Sequence, residues 1–359
     1  MKSIPVAKPL IERDDIRAVV KVMKSGGLAQ GPQVSKFEKE FSKFVGNREC
    51  VAVNSGTSAL HMALLALGIG SGDEVIVPSF TFAATANSVA LTGATPVFVD
   101  IDAKTYNIDP KLIEAAITPK TRAIQVVHLY GLPADMTSIV EIAKRRNLLI
   151  IEDAAQAHLA SINSQPVGTF GDAAIFSFYP TKNMTSGEGG IAVFAQADPA
   201  RVSRLLRNQG MEKRYQNEVV GFNLRMTDIH AAIGISQLNK VEKWTLTRQE
   251  NAEFLNSKIE NAITPFTPKG FKHVYHQYTI RIKNGRDVFS SKLTELGIGN
   301  SVYYPTQVHK LPSFNRTLDL FHTQNATEQV LSLPIHPSLS KKDLNRIAAA
   351  VNKVGKELN

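Results

Sequence analysis

Ala173-Ala174-Ile175-Phe176-Ser177-Phe178-Tyr179-Pro180-Thr181-Lys182-Asn183-Met184-Thr185-Ser186-Gly187-Glu188-Gly189-Gly190 is the stretch around which the chain is organised. Its apolar run, Ala173 to Phe178, shows no polar alternation and therefore predicts a strand buried on both faces, as in a parallel sheet. Pro180 ends the ladder, and the three glycines let the following loop take positive φ or approach a ligand closely. Lys182 then stands just past the carboxyl end of a buried strand, where open α/β sheets bind ligands. Half-buried there, an ammonium loses hydration, its pKa falls, and the neutral amine becomes a nucleophile toward a carbonyl.

A loop lysine alone is usually solvated; two further strand ends change its reading. Leu148-Leu149-Ile150-Ile151-Glu152-Asp153 is a second apolar run, finishing on a carboxylate. Asn54-Ser55-Gly56-Thr57-Ser58 joins a strand (Cys50 to Val53) to a helix (Ala59 to Leu67), presenting free N–H groups to an anion. A lysine, an acid and a phosphate cradle at three buried strand ends form the set that pyridoxal phosphate requires. Lys182 suits the cofactor's aldehyde and Asp153 its pyridine nitrogen. Gly56, Thr57 and Ser177 suit its phosphate, and Phe82, on a loop after another strand, can stack on its ring.

Upstream, Ile16, Val19, Val20 and Met23 recur at helical spacing and predict an amphipathic helix stopped by Ser25-Gly26-Gly27. Val34, Phe37, Phe41 and Phe44 predict a second helix, its aromatic stripe read as core. From 47 to about 240 apolar strands alternate with helices: Glu74 to Val77, Thr95 to Val99, Arg122 to Val127, then the acid and lysine strands. Asp109-Pro110 and Asp135 are helix starts. This rhythm predicts an α/β fold with a mostly parallel sheet covered on both faces. The glycines of Gly68-Ile69-Gly70-Ser71-Gly72 follow a helix and precede a strand, so they read as a helix end and turn rather than a dinucleotide loop. Met226 to Trp244 reads as one long helix leading from a large domain (1–249) into a smaller α+β domain (250–359). Within the latter, His273 to Ile282 and Asn300 to Tyr304 read as strands, Asp287 to Leu296 as a helix, and Ser340 to Asp343 as the cap of a helix running to Leu358.

The 359 residues are 43% hydrophobic and 20% charged, ordinary for a globular protein. No window reaches the ~18 apolar residues of a membrane span, and Met1 to Pro5 lacks a secretory core. Cys50, the single cysteine, excludes an internal disulfide. A cytoplasmic location fits. The net charge of +9 favours an acidic ligand. With no recognition motif beside the scattered cations, the phosphates of a nucleotide-linked substrate explain it better than nucleic acid.

The sequence closely resembles the DegT–DnrJ–StrS family of pyridoxal-phosphate-dependent sugar aminotransferases, fold-type I enzymes that aminate keto sugars carried on nucleotides. The resemblance covers nearly the whole chain. It rests on Asn54 to Leu60, Pro78 to Thr85, Gly93 to Asp100, His128 to Gly131, Glu152 to Ala157, Phe176 through Lys182-Asn183 to Gly190, and Gly221 to Met226. It implies Lys182 as the Schiff-base lysine, Asp153 as the pyridinium partner, Gln156 on the ring hydroxyl and Phe82 on the ring face. It further implies Gly56, Thr57 and Ser177 on the phosphate, and Asn223 reaching the phosphate in a neighbouring subunit, hence a homodimer with shared active sites. The donor implied is an amino acid, glutamate by analogy. Members with histidine in place of the lysine are dehydratases; Lys182 favours transamination over that chemistry, and a complete catalytic set argues against a non-catalytic pyridoxal-phosphate-binding regulator. One departure is Leu159, where glycine is usual, which adds bulk expected near the cofactor pocket.

Overall fold

The computed structural model describes residues 3–358. Seven strands make the central sheet: β1 (Glu49–Val53), β2 (Glu74–Pro78), β3 (Thr95–Val99), β4 (Thr121–Val127), β5 (Leu149–Asp153), β6 (Ala173–Ser177) and β7 (Gly190–Phe194). They lie in the order β1-β7-β6-β5-β4-β2-β3. Strands β6, β5, β4, β2 and β3 pair in parallel, whereas β7 runs antiparallel to both neighbours. The α/β architecture expected from the sequence is the one observed. All five residues of β6 are buried, as a doubly covered strand requires.

Strand β7 was not foreseen. Its four apolar residues follow Gly189 and Gly190, which read as loop. The antiparallel return lets the loop 178–189 join the two strands with no crossover helix.

Helices cover both faces. The first two are α1 (Arg13–Ser25) and α2 (Pro32–Ser42), followed by α3 (Gly56–Ala66), α4 (Ala84–Leu91), α5 (Met136–Arg146) and α6 (Ala197–Arg207). Phe37 and Phe41 of α2 pack on Phe178 and Phe176, each pair with ring centroids 5.0 Å apart and tilted edge to face. Such pairs add about 0.5–1.5 kcal/mol beyond the area they bury, so the aromatic stripe is core. The stripe of α1 is not: Ile16, Val20 and Met23 face solvent, while Asp15 and Val22 are buried. Asp15 caps its own helix at Glu12 and accepts from Gln237 and Lys240, so polar contacts set the rotation of α1.

That same cluster explains a second departure. Met226 to Trp244 forms two helices, α7 (Asp228–Leu238) and α8 (Val241–Lys258), not one. The chain turns at Asn239 and Lys240. Asn is a weak helix former, and the Lys240 ammonium is drawn to Asp15 and Glu12, 3.0 Å from each.

The remainder includes α9 (Arg286–Glu295), α10 (Phe321–Gln329), α11 (Lys341–Leu358) and an antiparallel pair, β8 (Tyr278–Arg281) with β9 (Val330–Leu333). Only Tyr278–Arg281 of the expected strand His273 to Ile282 is in that ladder. Asn300 to Tyr304 is not a strand either. Ser301 makes one isolated bridge to Ser332, and the next two tyrosines turn toward Phe80 and Tyr130 instead of continuing it. An apolar core separate from the sheet gathers Tyr278, Leu331, Ile347 and Val351, and takes in Ile4 from the other end of the chain. Ile4 bridges Ile298 in parallel.

Candidate active site

Register places the carboxyl ends of the parallel strands together. Val127 of β4 is opposite Asp153, Asp153 is opposite Ile175, and Ser177 is opposite Gly190, which also pairs with Val53. The lysine loop leaves from this edge and is tied back to it. Phe178 donates its N–H to the Gly189 carbonyl at 2.9 Å, and its own carbonyl accepts from the Ser186 N–H and the Thr185 hydroxyl. Lys182 donates its N–H to the Tyr179 carbonyl at 2.9 Å. Its side chain is half-buried. Burial pulls the amine down to a pKa of about 8, although the Asp153 charge works the other way.

Asp153 is 5% exposed. One carboxylate oxygen accepts from the Thr85 hydroxyl at 2.8 Å and the other from the Ala155 N–H at 3.2 Å. Burial raises its pKa despite those bonds and the Lys182 charge, so a cation beside it would be strongly favoured. Its neighbour Glu152 points to the opposite side of the pleat, where it accepts N–H groups from Gly168, Phe170 and Gly171 and pairs with His128. This second acid is fully satisfied and clamps β5 to the loop before β6.

Gln156, three residues after Asp153, is buried. Its oxygen accepts from the Tyr130 N–H at 2.7 Å and its amide donates to the Tyr304 hydroxyl at 3.0 Å. Phe82 is 59% exposed, its ring centroid 5.9 Å from that of Tyr304. An exposed aromatic at the mouth of a polar site is an open stacking surface.

The amino end of α3 meets β6 here. Ser55 caps the helix by accepting from the Ser58 N–H at 3.1 Å. A Cβ on Gly56 would stand 2.9 Å from Ser177 Cβ, and one on Gly190 only 2.4 Å from the Ser55 carbonyl oxygen. Both glycines are therefore required for the helix terminus to come this close to the lysine strand. The result is a set of N–H donors and the Ser177 hydroxyl around a positive helix end, which fits a phosphate. Thr57 is exposed in the first turn.

Lys182, Asp153, Gln156, Ser177 and Gly56 thus share the sheet edge, with Phe82 and Thr57 at its solvent side. Asn223 is also exposed. Its segment lies along β1, where Leu224 accepts from the Asn54 N–H at 2.9 Å. Leu159 does not enter this site. It packs with the Phe41, Phe176 and Met184 core, lining an apolar cavity with Phe44 and Val45. Its φ of +66° explains why glycine suits the position. Three relevant groups escaped the sequence reading. Thr85 was visible as part of the Phe80 to Thr85 segment; buried His158 and Arg248 gave no signal, because only tertiary packing brings them near Lys182.

A depressed lysine, a buried acid and a phosphate-shaped helix terminus on this sheet describe a pyridoxal-phosphate transferase of fold type I, and the residues present fit that cofactor. The chain belongs to the DegT/DnrJ/EryC1/StrS aminotransferase family, whose profile matches residues 9–352. It is 42% identical to GDP-perosamine synthase of Caulobacter vibrioides, over 98% of each chain. It is 41% identical to a UDP-N-acetyl-3-dehydro-alpha-D-glucosamine 3-aminotransferase of Acidithiobacillus ferrooxidans, covering 95% of this chain and 94% of the relative. Among solved structures, DesV of S. venezuelae, in complex with a ketimine intermediate, superposes with a TM-score of 0.94 at 37% identity, over 98% of this chain and 99% of DesV.

Proposed function

We propose that this aminotransferase moves an amino group from an amino acid, glutamate in the first instance, to a keto sugar carried on a nucleotide. The observation that carries the reading is the half-buried Lys182, its amine brought to a pKa of about 8, at one sheet edge with Asp153. The names of the relatives, both acting on nucleotide-linked sugars, support the substrate class. The net charge of +9 supports it too.

Bound pyridoxal phosphate supplies an aldehyde and a ring that withdraws electrons. Asp153 would hold positive charge at the ring nitrogen, and Thr85 keeps that carboxylate oriented. Gly56, Thr57 and Ser177 would receive the phosphate, Gln156 would address the ring hydroxyl, and Phe82 would offer a stacking surface to the ring. Nζ of Lys182 would be the group that holds the cofactor's aldehyde. Its free amine would take a proton from the donor α-carbon in the first half-reaction and give one to the sugar carbon that was the carbonyl in the second.

The working unit on this reading is a homodimer in the cytoplasm, with Asn223 completing the partner's phosphate site. Exposed apolar side chains support a partner surface: Met23 on α1 is 60% exposed and Val220, near Asn223, is 91% exposed. No helix among the described residues is long and apolar enough to cross a membrane. Residues 1–249 would hold the cofactor and 250–359 flank the substrate, a division supported by the separate core around Tyr278, although α8 crosses it.

The test is an amination screen of the purified protein with pyridoxal phosphate and glutamate against nucleotide-linked 3- and 4-keto sugars. An aminated sugar is expected, and Lys182→Ala should abolish both it and the visible absorbance of the bound cofactor. Full activity in that variant, or a deoxygenated product from the wild type, would overturn the reading.

A further inference from the structure

Behind the lysine loop lies a cavity with about 20 Å³ of free space, lined by Lys182, Asn183 and Thr185 on one side and by Gln237, Trp244 and Arg248 on the other. Lys8, which is exposed, stands at its mouth. No carboxylate is among its lining residues.

Arg248 is 7% exposed. Its guanidinium donates to the Tyr275 carbonyl at 3.1 Å, while its Nε has no partner. Among the described residues no acid lies within ion-pairing distance of it. Burial lowers its pKa to about 10, with no offsetting anion. The surrounding groups do not supply one. His336 is pushed down to about 4, first by burial and then by the Arg248 charge, with Lys8 adding to the effect. His276 is likewise held neutral, by burial and then by the charges of Lys182 and Arg248. The one acid that reaches the cavity wall, Asp15 through Gln237, is already engaged by Lys240. A buried cation with unused donors and no counter-charge is costly unless a ligand pairs with it.

We propose that Arg248, with Lys8 at the entrance, receives a carboxylate of the amino-acid donor. Three observations select this occupant. The free space is small, on the scale of a water or a single carboxylate group. Guanidinium is the side chain whose fork matches a carboxylate. Lys182 is among the residues that line the same cavity, so the site borders the lysine loop, and in an amino acid the carboxylate is attached to the carbon bearing the transferred nitrogen. Arg248 is in this scheme a specificity residue for the donor half of the reaction, and the inference rests on the transamination of an amino acid proposed above.

The test compares wild type, Arg248→Met, Arg248→Lys and Lys8→Met, the last at an exposed position where folding is not in question. In steady-state kinetics with L-glutamate and a nucleotide-linked keto sugar, Arg248→Met should raise KM for glutamate about tenfold or more, with KM for the sugar holding at the wild-type value. Arg248→Lys should recover part of the loss, and Lys8→Met should raise KM for glutamate by a smaller factor. A second readout needs no turnover: glutarate, which has carboxylates and no amine, should raise the melting temperature of the cofactor-free wild type and should do so less in both Met variants. L-alanine, with only an α-carboxylate, identifies which carboxylate is held: an equal loss for alanine assigns the α-carboxylate, and a loss confined to glutamate assigns the side chain. An unchanged KM for both donors, or a glutarate shift that persists in Arg248→Met, overturns the assignment. A wild type that accepts the sugar but no amino acid defeats the donor reading itself, an outcome distinct from either.

Discussion

Lys182 and Asp153 face each other across a sheet edge with opposite perturbations, and each is testable alone. Because Lys182 is depressed, the fraction of neutral amine grows through the range where an ordinary lysine is almost wholly protonated. The rate at which cofactor-free enzyme captures pyridoxal phosphate should therefore rise with pH through an inflection near the Lys182 pKa of about 8; an inflection above pH 10 would mean a solvated lysine. Asp153→Asn preserves much of the contact with Thr85 and Ala155 but removes the charge. The variant should still bind cofactor while turnover falls about a hundredfold or more, as measured by stopped-flow absorbance of each half-reaction. Leu159 illustrates a different balance. Glycine there would relieve a left-handed backbone costing about 1 kcal/mol, but it would also delete a half-buried side chain from the Phe41 and Met184 core. The packing loss is about 2 kcal/mol or more, so Leu159→Gly should lower stability in a urea titration. Lys182 and Asp153 were readable because each follows an uninterrupted apolar run. Arg248 was not, because nothing in a helical sequence says that its arginine faces inward.

The elements carry the site by their ends. The amino terminus of α3 and the last residue of β6 touch through Gly56 and Ser177, and the return strand β7 begins against Ser55 at Gly190. A single methyl at Gly56 would force these elements apart, at a cost of about 1–3 kcal/mol in overpacking. Gly56→Ala should weaken pyridoxal phosphate binding, measured by equilibrium dialysis, while the circular dichroism spectrum of the sheet and helices is retained. Most of these elements were legible from apolar runs and their caps; Asp109, Asp135 and Ser340 all cap as expected. Two of the errors share one cause. The fold of Met226 to Trp244 depends on Asp15 drawing Lys240 aside, and Asn300 to Tyr304 follows aromatic partners more than 150 residues upstream, so local pattern was the weaker constraint at both.

For the molecule as a whole, the most informative surface is the apolar stripe of α1. The amphipathic helix α1 is present as the spacing predicts, and Ile16, Val20 and Met23 of its stripe are outside. The periodicity was real, but its direction depended on a polar anchor that only the folded chain shows. If this stripe joins two copies, Ile16→Glu with Met23→Glu should convert the homodimer to monomer in light scattering and reduce turnover through loss of Asn223 from the partner's site; a variant of unchanged mass would place the contact elsewhere. The bridge between Ile4 and Ile298 has a bearing on biogenesis. Translation proceeds from the amino end, so the segment bearing Ile4 must remain unpaired while nearly all of the large sheet and much of the carboxyl-terminal unit emerge from the ribosome. That unit consequently seals only once the chain has doubled back on itself, a contact of long sequence separation that closes late in synthesis.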